Sequence, residues 1–178
     1  NKGWSDDKKF YIETYDNKKL LLRLSDISLY ERKKNDFEIM KKVSSLGVPM
    51  SIPIAFGTCN NGASVYYLLS WIDGEDAETL IPRLSLLEQY KLGLKSGELL
   101  KIIHSISAPA FQEDWETRFT RKTLNKIRKY KECGIRFKED ELIIEFIENN
   151  IYLLKHRPQC LQHGDYHVGN MIVTEDMG

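Results

Sequence analysis

The sequence predicts an α+β protein of two lobes, in which a small antiparallel β-sheet with one helix precedes a mostly helical part. Up to Ile72 the patterns run strand, strand, helix, strand, strand, and after Asp73-Gly74 they become helical. Apolar residues make up 42% of the 178 residues and aromatic residues 11%, which is enough for a packed core. We therefore expect two domains, 1–72 and 73–178.

Two strands around a turn open the first lobe. Lys9–Tyr15 is rich in Phe, Tyr, Ile and Thr, Asp16-Asn17 supplies the turn, and Leu20–Leu24 is a second apolar run. Arg23 lies inside this leucine-rich strand. Because burying a charge without a partner is costly, Arg23 indicates either an anionic partner or a strand face that meets solvent.

A helix is predicted over Leu29–Leu46, where Ile39 and Val43 recur at helical spacing and Gly47 and Pro49 end the pattern. The same reasoning from apolar spacing, turn residues and a Ser-x-x-Glu capping box predicts the remaining elements. These are strands Ile52–Phe56 and Ser64–Ile72, helices from Ser85 to His104, Asp114–Tyr130 and Glu139–Leu154, and short strands Gln159–Gln162 and Met171–Val173.

Composition excludes several classes of protein. Lys plus Arg and Asp plus Glu both number 26, and this zero net charge argues against a general nucleic-acid binder. The apolar runs are too short to span a membrane, and no signal-peptide pattern opens the chain. Three separated cysteines outside any C-x-x-C motif favour a reducing compartment. We expect a cytoplasmic protein with no nucleic-acid or membrane partner.

The densest polar chemistry lies in the segment His163–Asn170, between two apolar stretches. Asp165 and Asn170 are separated by four residues. Phosphoryl transfer uses such a pair, because a carboxylate orients and deprotonates a hydroxyl while an amide oxygen holds Mg²⁺ beside the phosphates.

The segment His-Gly-Asp-Tyr-His-Val-Gly-Asn resembles the catalytic loop of the aminoglycoside phosphotransferase family, which has a protein-kinase-like fold. The resemblance extends over nearly the whole chain, because the other parts of the family occur in the same order. It implies a bilobal fold with ATP and Mg²⁺ as cofactors. The substrate it implies is a small hydroxylated molecule, with cationic aminoglycoside-like antibiotics as the leading candidates.

The same resemblance implies a role for particular residues. Asp165 is the expected catalytic base, Asn170 a metal ligand and His163 a structural support of the loop. The residues that it places at the nucleotide are a loop of Gly3, Trp4 and Ser5, the cation Arg23 with its helix partner Glu38, and the adenine hinge Ser70, Trp71 and Ile72.

The sequence departs from the family pattern at several points. Arg23 stands where kinases more often have Lys, and a guanidinium holds phosphate as a wide fork. By this resemblance, we expect the first strand of the nucleotide lobe and the second metal-binding Asp to be missing from the chain, since turn chemistry already explains Asp176. We therefore expect a chain truncated at both ends, and poor catalysis by these 178 residues alone.

Two other functions stay open. A kinase-like scaffold that binds nucleotide or a partner without transferring phosphate, or an inactive fragment, also fits the missing Asp. If the loop were a strand, His163, Asp165 and His167 would share one face and resemble the site of a metal-dependent hydrolase.

Two charge runs also have two interpretations. Phe119–Lys131 contains six basic residues and no acid, and Glu139–Glu148 contains five acids and no base. Solvated helix faces explain both runs. Alternatively, the acidic run, together with Glu113, Asp114 and Glu116, holds a cationic substrate.

Overall fold

A computed structural model describes residues 7–175. Contacts within these residues divide the chain into two units. One unit combines the part up to Ile103 with the part from His163 onward, and the other is His104–Gln162. The predicted boundary between 1–72 and 73–178 marks the change from sheet to helix inside the first unit, and its meaning as a lobe boundary stays a prediction.

The first unit contains the predicted antiparallel sheet. Its strands are β1 (Lys8–Glu13), β2 (Lys19–Asp26), β3 (Pro53–Cys59) and β4 (Ser64–Ser70), in the order β1-β2-β4-β3. Every neighbouring pair is antiparallel. The two hairpins follow from local sequence, since asparagine tolerates the left-handed backbone that Asn17 adopts with φ 58°.

Strand β3 forms one edge of this sheet and is irregular. Its pairing with β4 shifts between Pro53 and Ala55, which indicates a β-bulge. Gly57 lies opposite Tyr66, whose ring would come within 3.0 Å of a Cβ atom at Gly57. The tyrosine ring therefore covers the glycine, and a larger residue would displace it.

Helix α1 (Tyr30–Ser45) packs on one face of the sheet and ends before Gly47, whose φ of 77° is the left-handed conformation of a helix stop. Phe37 is 7% exposed and stacks on Tyr67, with ring centroids 5.9 Å apart. The core of this unit consists of Phe37, Tyr67 and Leu69, with Leu21, Met40 and Phe56 packed against them.

The predicted capping box starts the long helix of the first unit. A short helix α2 (Ala77–Leu80) precedes helix α3 (Leu86–His104). The backbone N–H of Ser85 donates to Glu88 Oε2 at 2.8 Å, and the hydroxyl of Ser85 donates to the same oxygen at 2.6 Å.

Gly93 and Gly97 lie on the apolar stripe of α3, and small residues on such a stripe predict the close approach of another element. A Cβ atom built at Gly93 or Gly97 would meet no atom of the described residues within 4 Å. This expectation is wrong for the part of the chain that the structure describes, and the two glycines only lower the helix propensity of α3.

The first unit also contains a two-stranded sheet that the sequence did not predict. Strand β5 (Glu75–Asp76) pairs antiparallel with β6 (Ile172–Val173). A Cβ atom at Gly74 would lie 2.6 Å from Val173 O, so only glycine permits this approach. The predicted strand Gln159–Gln162 is wrong, because that segment forms only an isolated bridge to Ser107 through Cys160.

The second unit is built on helices α4 (Trp115–Glu132) and α5 (Asp140–Asn149). Asp114 caps α4, since its Oδ1 accepts from the N–H of Thr117 at 2.9 Å. The predicted helix Glu139–Leu154 is shorter than expected and continues as a 3₁₀ turn over Ile151–Leu154. The side chain of Asn150 donates to Phe146 O at 2.7 Å, a local bond that competes with helix continuation.

A buried carboxylate organises the second unit. Asp140 is 6% exposed and accepts hydrogen bonds from Arg136 Nε at 2.6 Å and from the hydroxyl of Tyr130 at 2.5 Å. These two bonds hold the pKa of Asp140 at about 2 despite its burial.

Within residues 7–175, no helix has the length and apolar character of a membrane span.

Candidate active site

The polar loop His163–Asn170 belongs to the first unit and leads directly into β6. Gly164 has a φ of 82°, which a residue with a side chain rarely adopts. The loop ends in a 3₁₀ turn over Val168–Asn170, and the carbonyl of Met171 accepts from the N–H of Ala77 at 3.0 Å. The start of α2 therefore fixes the end of the loop.

The structure brings Asp165 and Asn170 together. The side-chain amide of Asn170 donates to Asp165 Oδ2 at 2.8 Å and to Asp165 O at 3.0 Å. The Asp165 side chain is 74% exposed, so an incoming hydroxyl can reach its carboxylate. Both bonds come from the side-chain nitrogen of Asn170. Its side-chain oxygen Oδ1 makes no hydrogen bond within the described part of the chain.

His167 lies against this pair. Its Nδ1 accepts from the N–H of Gly169 at 3.1 Å, and its Nε2 is 3.5 Å from Asp165 Oδ1 and 3.2 Å from Asn170 Nδ2. A Cβ atom at Gly169 would lie 2.8 Å from the imidazole carbon Cε1. Gly169 therefore leaves the space in which the ring of His167 lies. Sequence reasoning named this histidine only as part of a possible metal cluster.

His163 contacts the loop through an aromatic ring. Its imidazole meets Tyr166 edge-on, with ring centroids 5.2 Å apart. The Tyr166 hydroxyl donates to the carbonyl of Ser96 in α3 at 2.8 Å. This geometry agrees with a bracing role for His163, which stays a prediction.

The predicted pair of Arg23 with Glu38 does not form. Arg23 instead donates from Nη2 and Nε to Asp7 Oδ2, at 2.5 and 3.1 Å. Glu38 pairs with Lys41 at 3.2 Å and keeps 60% of its side chain exposed.

The correction follows from the face that α1 turns to the sheet. Lys33 and Phe37 are one helical turn apart and both are buried. Glu38 is the next residue after Phe37, about 100° further around the helix, and therefore lies off the buried face. Sequence reasoning missed Asp7 and Lys33; an arginine inside a strand signalled a missing acid but did not identify it.

Asp7 makes the stability of the first unit sensitive to acid. Burial alone would raise the pKa of its carboxyl, but hydrogen bonds from Lys33 and Ser25 and the charge of Arg23 outweigh burial and lower the pKa from 3.8 to about 2. The folded state therefore binds this proton less readily than the unfolded state. Its stabilising contribution is complete above about pH 4 and is lost as the pH falls towards about 2.

We expect the unfolding free energy of the wild type to fall more steeply between about pH 4 and pH 2 than that of Asp7→Asn. Urea unfolding followed by circular dichroism at each pH measures both slopes. Because Asp140 titrates in both proteins, the difference between the slopes isolates Asp7. Equal slopes would contradict the prediction.

The predicted adenine hinge lies at the end of β4. The N–H of Ser70 donates to Ile52 O at 2.9 Å, and the N–H of Trp71 donates to Lys19 O at 3.2 Å. The backbone of Ile72 makes no hydrogen bond to any residue between 7 and 175. Of the three residues predicted for the hinge, Ile72 is therefore the one whose backbone groups stay unpaired within the described residues. Trp71 packs edge-on against Tyr11, with centroids 4.9 Å apart.

A cavity of about 520 Å³ opens beside this segment, lined by Asp73, Gly74, Thr174 and Glu175. Lys19 Nζ pairs with Asp73 Oδ1 at 2.9 Å at the margin of this cavity.

The predicted nucleotide-loop residues Gly3, Trp4 and Ser5 lie outside the described residues, as does Asp176.

The loop offers one oxygen donor to a divalent cation. The unbonded amide oxygen of Asn170 has the hard-oxygen character that Mg²⁺ requires. Among residues 7–175, no three His, Cys, Asp or Glu side chains converge as a metal site. The loop therefore fits one oxygen ligand of Mg²⁺ and gives no support to the His163, Asp165 and His167 cluster of a metal hydrolase.

A comparison with protein-family models matches residues 1–178 to the phosphotransferase enzyme family. The chain belongs to this family. The match confirms the resemblance inferred from the loop and the kinase-like α+β fold, and it makes the protein a phosphotransferase of the kinase type. A comparison with curated proteins found no match.

Membership of the phosphotransferase family indicates which chemical roles are relevant to the residues of the loop. Positioning and charge stabilisation supply most of the rate in phosphoryl transfer, so the groups of interest are those that orient a hydroxyl, a phosphate or a metal. Asp165, Asn170 and Arg23 are the residues predicted for these roles.

Proposed function

We propose that this phosphotransferase moves the γ-phosphate of ATP to a hydroxyl of a small molecule. The observation that carries the proposal is the hydrogen-bonded pair of Asp165 and Asn170 in an exposed loop. A carboxylate that is accessible, oriented by an amide and followed by a free amide oxygen meets two requirements of phosphoryl transfer.

Asp165 accepts the hydroxyl proton of the substrate and orients its oxygen. Asn170 fixes the carboxylate through Nδ2, so that one side chain orients the base while its Oδ1 is available to Mg²⁺. When bound, Mg²⁺ supplies positive charge that stabilises the transferring phosphate. His167 Nε2, 3.5 Å from Asp165 Oδ1, limits the directions in which the carboxylate can turn.

The residues proposed for ATP lie in the sheet and at its end. Arg23 contributes guanidinium donors suited to phosphate oxygens. The unbonded backbone of Ile72 suits the edge of an adenine ring, because a base presents both a donor and an acceptor. In this proposal residues 1–72 form the nucleotide lobe.

For the acceptor, we propose a small hydroxylated molecule, with cationic aminoglycoside-like antibiotics as the leading class. Exposed carboxylates Glu145 and Glu148 on α5 favour a cationic ligand. Glu113 contributes less, because Arg121 binds it at 2.5 Å and lowers the pKa of its carboxyl. The proposal places the enzyme in the cytoplasm, where such phosphorylation would confer antibiotic resistance, with no nucleic-acid or membrane partner.

The test is ATP turnover by the intact protein with Mg²⁺ and a panel of acceptors. The panel comprises aminoglycosides, macrolides, choline and hydroxylated metabolites, and ADP release is measured with and without each one. We expect turnover that depends on one class of acceptor. ATP binding without acceptor-dependent ADP release would contradict the proposal and support a non-catalytic nucleotide-binding module.

A further inference from the structure

A buried charge cluster links the sheet to helix α1. Asp7 accepts from Arg23 Nη2 at 2.5 Å, from the hydroxyl of Ser25 at 2.7 Å and from Lys33 Nζ at 2.8 Å. Asp7 is 8% exposed and Lys33 9%. Charges buried to this degree persist only where partners and hydrogen bonds compensate for the lost water.

Strand register explains how Asp7 reaches this place. Lys8 pairs with Leu24 across β1 and β2, so the chain just before β1 runs beside Ser25. Side chains two residues apart in a strand share a face, which places Ser25 and Arg23 side by side and on the face covered by α1. The pairing register of β1 and β2 therefore places Asp7 beside both Ser25 and Arg23.

Helix α1 contributes Lys33 to the cluster. The ammonium of Lys33 contacts both oxygens of Asp7 at 2.8 Å and lies 5.2 Å from the centre of the Tyr67 ring. The Tyr67 hydroxyl donates to Lys33 O at 2.9 Å. Lys33 is therefore held at both its backbone and its ammonium, and the carboxylate beneath it has little freedom to turn.

The guanidinium of Arg23 is only partly used. Nε and Nη2 bind Asp7, whereas Nη1 makes no hydrogen bond to the part of the chain between residues 7 and 175. The side chain keeps 28% exposure. A guanidinium held along one edge presents its other donors in a fixed direction, which suits a phosphate oxygen.

We propose that Asp7 is the positioning residue for Arg23, the role that sequence reasoning gave to Glu38, and that Lys33 and Ser25 hold Asp7 in place. The proposal rests on the proposed function, because the free donors of Arg23 act on the phosphates of ATP.

The experiment compares ATP with adenosine, which lacks phosphates, by isothermal titration calorimetry on the intact protein. For Asp7→Asn we expect ATP to bind about tenfold more weakly and adenosine to change by less than about twofold. A residue that merely stabilises the fold would alter both affinities together. Asp16→Asn, an exposed acid in the β1–β2 turn, is the matched control and leaves both affinities unchanged.

Two further variants sharpen the test. Glu38→Gln is expected to weaken ATP binding less than Asp7→Asn does. Ser25→Ala removes only the 2.7 Å bond to Asp7, and we expect an ATP loss of about threefold with adenosine unchanged. Ser25→Ala decides the question if Asp7→Asn does not fold.

The proposal is overturned if folded Asp7→Asn binds ATP as the wild type does, if ATP and adenosine weaken equally, or if Glu38→Gln shows the larger loss. It is also overturned if Asp7→Asn fails to fold and Ser25→Ala binds ATP normally. Turnover by the wild type is scored separately. A wild type that binds ATP without transferring phosphate would refute the proposed function while these affinities still decide the role of Asp7.

Discussion

Replacing Asp165 by alanine in the intact protein is expected to lower kcat by about 10²–10⁴-fold, the usual range for loss of a general base. ATP affinity should change by less than about twofold, because the nucleotide is held by other residues. Asp165→Asn should be nearly as damaging. Its amide can still accept the bond from Asn170, but it cannot take the proton.

Steady-state kinetics with saturating ATP and acceptor measure this loss. Glu132→Ala is the control, since Glu132 is an exposed carboxylate at the end of α4 that pairs only locally with Arg128. Its turnover should equal that of the wild type. Near-normal turnover in Asp165→Ala would exclude Asp165 as the base.

Replacing Gly74 by alanine is expected to lower the unfolding free energy by about 1–3 kcal/mol, the usual cost of overpacking. The added Cβ would lie 2.6 Å from Val173 O and from Ile172 Cγ2, so β5 and β6 must separate. Strand β6 directly follows the loop that carries Asp165, and a displaced β6 shifts the base. We therefore also expect kcat to fall.

Gly93→Ala is the matched control for this substitution. Gly93 is exposed on α3 and has open space where its Cβ would lie. The change should raise stability by about 0.5–1 kcal/mol through helix propensity alone. Urea unfolding followed by circular dichroism measures both variants. Equal unfolding free energies of the wild type and Gly74→Ala would contradict the prediction, because they would show that β5 and β6 accommodate the added Cβ without destabilising the fold.

Local patterns predicted most of the secondary structure. Alternating or continuous apolar runs marked the four strands of the sheet, and Ser85 with Glu88 marked the start of α3. Strand β6 confirms the predicted strand Met171–Val173, but β5 and its pairing with β6 could not be predicted, because a two-residue strand carries no periodicity. Their pairing depends on a close approach at Gly74 that only three-dimensional packing reveals.

The candidate site divides in the same way. The contact between Asp165 and Asn170 followed from a short motif within one loop, where spacing nearly determines geometry. The partner of Arg23 did not, because it depends on strand register and on the rotation of α1 about its axis. Glu38 has a suitable charge and spacing but lies off the buried face, whereas Asp7 reaches Arg23 from the segment before β1.

The irregular edge strand β3 bears on how the protein behaves at high concentration. An exposed sheet edge is a template on which strands of other molecules can assemble into aggregates. Pro53 offers no backbone N–H for such a strand, and the adjacent bulge bends the edge away from a flat ladder. This edge of the sheet is therefore protected against intermolecular β-pairing. Straightening it by replacing Pro53 would favour self-association.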